Sequence, residues 1–190
     1  IGAGRTDSGV HALAQVAHFD LEKKIQKKNI LPAINQNIAN KSVTVLKINK
    51  MNKKFHARHD AKKRTYLYLI INRQSPLALQ KNKAWHIRKK LDLNVMKKGA
   101  KLFLGTHNFS TYRAASCGAK SPIRTMEKIL IKKNKDKITL QFTSRSFLQQ
   151  QVRSMMGCIK YLGEGKWDLN DFKNSFRSKC RSKCAPPAPA

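Results

Sequence analysis

Two strand-like stretches, separated by a short polar connection and followed at once by a long helix-like stretch, set the tightest limit on how this chain can fold. Residues 125–133 ("TMEKILIKK") and 136–144 ("DKITLQFTS") are rich in β-branched and apolar residues. The connection through Asn134 and Lys135 is too short for a crossover, so the two must form an antiparallel hairpin. Residues 146–163 ("SFLQQQVRSMMGCIKYLG") then place Leu148, Val152, Met155, Ile159 and Leu162 on one helical face, which predicts an amphipathic helix. Further strands are expected at 14–20, 42–49 and 64–72, with helices at 29–39, broken early by Pro32, and at 92–105, capped by Asp92 and stopped by Gly105. Strands and helices without regular βα alternation make the fold class α+β.

The chain has 190 residues, 40 Lys+Arg against 10 Asp+Glu, and a formal net charge of +30. That length supports a sizeable core. The charge calls for a polyanionic partner, of which nucleic acid is the commonest. A coding bias toward lysine is the alternative, yet it would add bases without removing acids. Lysine pairs recur along the sequence, from Lys23-Lys24 to Lys132-Lys133, as on a folded basic surface. No apolar run reaches the ~20 residues of a membrane span, and no leader precedes the first motif, so a cytoplasmic protein is expected. Cys117, Cys158, Cys180 and Cys184 are read as reduced thiols, and the Cys180/Cys184 spacing lacks the companion ligands of a zinc site. The sequence opens inside a glycine-rich loop and closes in an Ala/Pro run, so it reads as a fragment of a longer chain.

That opening loop, "GAGRTDSGVH" (2–11), fails both nucleotide-loop patterns. Asp7 stands where the third glycine of G-x-G-x-x-G belongs, and Val10-His11 replace the Lys and hydroxyl of a P-loop. Two readings remain: a glycine-rich turn with a local bond from Asp7, or a loop that presents Asp7 for chemistry. On a chain with few acids, a carboxylate that would repel a polyanion suggests a nucleophile or general base.

The loop with its continuation, "GAGRTDSGVHALAQVAHFD", resembles the signature of the tRNA pseudouridine synthase A family. So does "FHARHDAKKRTYLYLI" (55–70), similar to that family's F-x-A-R and Y-x-Y block. "FSTYRAASCGAKSPIRTM" (109–126) and "SFLQQQVRSMMG" (146–157) complete an ordered match along nearly the whole chain. The resemblance implies two ferredoxin-like or RRM-like half-domains with antiparallel sheets around a central basic cleft, incomplete at both termini. These would be 1–72, with the catalytic loop, and 73–190. It implies a homodimer, no cofactor and no metal, and uridines of the tRNA anticodon stem-loop as substrate. A noncatalytic basic RNA-binding module is the alternative, as it explains the charge without using Asp7.

Through the same resemblance Asp7 is the catalytic aspartate. A carboxylate kept ionised away from water needs a fixed cation beside it, and Arg153 of "QQVR" matches the family arginine that supplies one. A solvated helix arginine is its other reading. Tyr66 matches the tyrosine that stacks on the target uracil. Strand alternation puts Tyr66 and Tyr68 on one face, so spacing alone does not choose between them. Val152 would pack near the base or simply lie in the core. Arg5 matches an arginine that replaces the lost stacking when the base is extruded, or else touches phosphate. Arg58 and Arg64 are expected at backbone phosphates, and His11, Arg113 and Arg124 are weaker candidates.

Overall fold

The computed structural model describes residues 1–22, 25–39 and 41–190. The chain forms two compact units, one of residues 1–5 and 12–61, the other of residues 6–11 and 62–190. Residues 64–72, expected to end the first half-domain, pair within the sheet of the second unit. The pair Lys23-Lys24 and Asn40 lie outside the described residues.

In the first unit, helix α1 (Lys27–Asn37) runs through Pro32 instead of being broken by it. Proline removes a single N–H from the ladder, and here the helix keeps its course past that gap. The expected strands at 14–20 and 42–49 do not form. An extended segment becomes a strand only when a neighbour takes up its backbone groups. Residues 14–20 contribute only an isolated antiparallel bridge, Gly2 to Ala17, flanked by Ala3 N–H to Val16 O at 2.8 Å and His18 N–H to Ile1 O at 2.9 Å. Within 42–49, Val45 is held by a side chain: the Asn35 amide donates to Val45 O at 2.9 Å and accepts from Val45 N–H at 2.8 Å. One side-chain amide satisfies one peptide unit, which fixes Val45 without building a ladder.

The second unit carries a five-stranded mixed sheet in the order β2-β1-β5-β4-β3. Its strands are β1 (Arg64–Asn72), β2 (Trp85–Ile87), β3 (Gly105–Asn108), β4 (Ile123–Asn134) and β5 (Lys137–Ser144). The hairpin β4–β5 closes through Lys135 and Asp136, with Lys135 at φ 53°, in the left-handed region that two-residue hairpin loops favour. β1 pairs antiparallel with β5 and parallel with β2, and β3 runs antiparallel to β4. The short strands β2 and β3 were not expected, because three or four residues are too few to show a period of two. The fold is α+β.

Helices α2 (Leu93–Lys101), α3 (Gln151–Gly163) and α4 (Leu169–Arg177) complete this unit. The Asp92 carboxylate caps α2 by accepting from Asn94 and Val95 N–H, and Asp168 with Asp171 forms a capping box on α4. α2 stops at Lys101, short of Gly105, which instead opens β3 at φ 94°. α3 begins five residues later than the sequence suggested, with Gln150 at φ 59° ahead of it. Its expected apolar stripe is buried, but so are Ser154, Met156, Gly157 and Cys158. The helix is therefore covered on more than its amphipathic face. The core joins Ile70, Ile138, Leu140 and Phe142 of the sheet to Met155 and Ile159 of α3, Met96 of α2 and Phe172 of α4.

Asn72, at the end of β1, ties the sheet edge together. Its amide donates to Ile87 O and Lys89 O, both at 2.8 Å, and its side-chain oxygen accepts from Leu91 N–H at 3.1 Å. Truncation by Asn72→Ala leaves three backbone groups to find water or go unpaired, and is expected to lower unfolding free energy by about 2 kcal/mol. Urea unfolding checks this, as a lower midpoint at unchanged slope. A change below about 0.5 kcal/mol would show that solvent replaces those bonds.

Candidate active site

The loop around Asp7 is a tight turn. Val10 N–H donates to Asp7 O at 3.0 Å, and Gly9, the third residue of the turn, has φ 82°. That position takes glycine without strain, and a side chain there would also press on Ala190, whose Cβ lies 3.2 Å from where a Gly9 Cβ would stand. The backbone carbonyl of Asp7 takes the turn bond. Its carboxylate is thus directed elsewhere: Oδ2 accepts from Arg153 Nη1 at 2.8 Å. The turn therefore closes through the Asp7 backbone and not through the side-chain bond of the first reading, and the carboxylate is held by Arg153.

Arg153 lies in the first turn of α3, and 146 positions separate it from Asp7 in sequence. Its guanidinium is fixed at two points, because Nε donates to Ala188 O at 2.8 Å while Nη1 meets Asp7. A planar fork held at both ends has little freedom left. The pair is partly open to solvent, with side-chain exposures of 24% for Arg153 and 35% for Asp7.

Tyr66 and Tyr68 share the inner face of β1, and their surroundings separate them. The Tyr66 ring packs edge-on against Phe147, with centroids 5.0 Å apart. Burial raises its phenol pKa, the Arg64 charge opposes this and the Asp7 charge adds to it. Tyr66 is thus the tyrosine in the electrostatic field of Asp7. The Tyr68 hydroxyl instead donates to Pro189 O, and burial pushes its pKa up to about 12 against the opposing charge of Arg153. Both phenols stay protonated at neutral pH.

Val152 is buried in the hydrophobic core, adjacent to Arg153 in sequence. Arg64 donates to Arg145 O, so at least part of its guanidinium orders the end of β5. Arg124 donates to Ser121 O and Ile123 O, and Arg113 to Cys117 O, which gives both a loop-ordering role. In the first unit, Arg5 is exposed. Arg58, also exposed, sits in a turn held by His56 N–H to Asp60 Oδ2 at 2.8 Å and by Ala57 N–H to His18 Nδ1 at 3.1 Å. The structure thus gathers Asp7, Arg153, Tyr66, Val152 and Arg64 in one unit.

Sequence reasoning passed over Phe147 and Ala188. Phe147 stood inside a quoted motif, but only the sheet-to-helix packing gives it Tyr66 as a neighbour. Ala188 carries no side-chain signal, because its contribution is a backbone carbonyl. The four cysteines are free thiols, and among the described residues no group of three or more His, Cys, Asp or Glu is placed to hold a metal.

Comparison with known proteins bears on the chain as a whole. A family model described as tRNA pseudouridine synthase matches residues 100–190, the part that contains β4, β5 and α3. The tRNA pseudouridine synthase A of Pelagibacter ubique (strain HTCC1062) is 57% identical over 191 residues, covering 100% of this chain and 78% of that protein. The proteins of the same name from Maricaulis maris (strain MCS10) and Caulobacter sp. (strain K31) are 43% and 40% identical, each over 76% of its own length. Identity at this level extends over the whole chain, and the chain belongs to the tRNA pseudouridine synthase A family.

Proposed function

We propose that this protein isomerises uridine to pseudouridine in the anticodon stem-loop of tRNA, with Asp7 as the catalytic carboxylate. The observation that carries the reading is the 2.8 Å ion pair between Asp7 and Arg153. It joins two motif blocks that lie far apart in sequence and leaves the pair partly open to solvent.

The reaction breaks the bond between N1 of uracil and C1′ of the ribose, turns the base, and joins C5 to C1′. C5 gives up a proton and N1 gains one, so no redox partner or group donor is consumed. Asp7 serves either by attacking C1′ or by removing a proton from C2′. Arg153 binds Oδ2 and fixes the carboxylate in place through a charge-assisted hydrogen bond. Tyr66, a phenol protonated at neutral pH whose pKa burial raises further, stacks on the uracil and supplies or relays the proton. Val152 adds apolar wall beside it. Extruding a stacked base costs a few kcal/mol, and the planar Arg5 guanidinium is suited to fill the gap.

The charge of +30 supplies the affinity for tRNA. Arg58 and Arg64 contact backbone phosphates in this scheme. Two half-domains, a homodimer and a cytoplasmic setting complete the proposal. Among the described residues, no helix is long and apolar enough to cross a membrane.

The deciding experiment is tritium release from tRNA labelled at C5 of uridine. Asp7→Ala is expected to lower the rate by on the order of 10³-fold or more while tRNA binding is kept. A wild-type protein that binds tRNA without releasing tritium would instead support the noncatalytic RNA-binding module.

A fully buried ion pair would lose ~3–5 kcal/mol on truncation of one partner. With both partners partly exposed, Arg153→Ala is expected to cost about 1–2 kcal/mol of stability in urea unfolding. Its effect on kcat should exceed that of a variant of equal stability elsewhere on α3.

Affinity for tRNA should fall on the order of 10³-fold between about 50 and 200 mM salt. Arg58→Ala should weaken binding and reduce the slope of log affinity against log salt by about 1. An unchanged slope would remove Arg58 from the phosphate contacts.

A further inference from the structure

The Ala/Pro segment that follows Cys184 does more than cover the core. Ala185 and Ala188 face inward, 3% and 0% exposed, while Pro186, Pro187 and Pro189 face outward. Proline fixes φ and favours an extended backbone, so such a segment loses little entropy when it is held straight.

Its contacts converge on the candidate active site. Ala188 and Arg153 exchange two hydrogen bonds: Ala188 N–H donates to Arg153 O at 2.9 Å, and Arg153 Nε donates to Ala188 O at 2.8 Å. Tyr68 of β1 donates its hydroxyl to Pro189 O. Ala190 reaches the turn that presents Asp7, its Cβ lying 3.2 Å from the Cβ position of Gly9. At the other end, Ala185 N–H donates to Cys158 Sγ at 3.4 Å, and the Cys158 and Cys184 sulfurs are 3.6 Å apart. Gly157 makes the approach possible, since a Cβ there would stand 2.0 Å from Pro186 O. Each contact falls on α3, β1 or the Asp7 turn.

We propose that residues 185–190 act as a positioning strap for isomerisation, with the Ala188 carbonyl fixing the Arg153 guanidinium so that Nη1 is aimed at Asp7, and with Gly157 as the residue that admits the strap. The inference rests on the reading of Asp7 as the reactive carboxylate and Arg153 as its partner. An arginine held only by its carboxylate can swing the pair through several rotamers. A second, backbone-held bond on Nε removes that freedom and fixes the direction from which the carboxylate meets the ribose. The strap touches no part of the reaction itself. Its effect is on kcat, not on the affinity for tRNA.

The test compares Gly157→Ala with Gly163→Ala in the full-length protein by tritium release. Both glycines lie on α3, but a Cβ at Gly163 would meet the Met96 side chain 2.7 Å away in the core and leave the strap alone. Gly157→Ala is expected to lower kcat by about 10-fold or more, with KM within about two-fold of wild type. Gly163→Ala should lose stability and keep kcat per folded molecule. Tyr68→Phe, which removes one hydroxyl and keeps the ring, releases the strap in a protein that folds, and should lower kcat several-fold at unchanged KM.

Wild-type kcat in both Tyr68→Phe and folded Gly157→Ala would overturn the strap, as would a rise in KM alone. If Gly157→Ala does not fold, Tyr68→Phe decides by itself. Asp7→Ala, assayed alongside, separates the two claims. Activity retained there removes the underlying reading, whereas activity lost there with kcat intact in the strap variants removes only the strap.

Discussion

The arrangement of the candidate site depends on how α3 is buried. A helix packed on one side would leave Arg153 to choose its own rotamer in solvent. Here the sheet covers one face through Met155 and Ile159, and the Ala/Pro segment covers another through Gly157 and the Arg153 backbone. The guanidinium emerges between two fixed surfaces, and the Asp7 turn closes against it at 2.8 Å. The carboxylate owes its direction to this double packing, because the turn by itself determines only where Asp7 leaves the backbone.

The scarcity of acids acquires a structural meaning. Asp92 and Asp168 cap helices, Asp136 pairs with Arg73 at 2.8 Å, and Glu164 lies between Lys160 and Lys166. Asp60 holds the turn that carries Arg58, and Glu127 reaches Lys63. These acids stabilise a helix end, a turn or a basic neighbour, as expected where each carboxylate works against attraction of a polyanion. Asp7 also has a cation, and its side-chain exposure of 35% is shared by Asp136 and Glu127. What sets it apart is its company, a protonated tyrosine on which its charge acts.

The two tyrosines of β1 show where sequence reasoning reaches its limit. Alternation places both on one face, and neither composition nor spacing divides their roles. Tertiary contacts do: Tyr66 has Phe147 at its edge and Asp7 in its field, whereas the Tyr68 hydroxyl is committed to Pro189. The first unit illustrates the opposite failure. Residues 14–20 and 42–49 have strand-like composition, but propensity is only a preference for a pleated, paired surface. Without a ladder, Val45 settles for the Asn35 amide.

The sequence alone determined what is local or carried in ordered motifs: the β4–β5 hairpin, the Asp92 cap, the apolar stripe of α3, the α+β class, the basic surface, and Asp7 with Arg153 and Tyr66 as residues to watch. Each follows from chemistry within a few positions or from a pattern matched in order along the chain. Only the tertiary structure decided which strands find partners, where α3 begins, and what the Ala/Pro segment does. A carbonyl such as that of Ala188 leaves no mark in the sequence, since every residue has one. Its bond to the Arg153 guanidinium exists because packing brings two distant backbones together, and packing is a property of the whole chain.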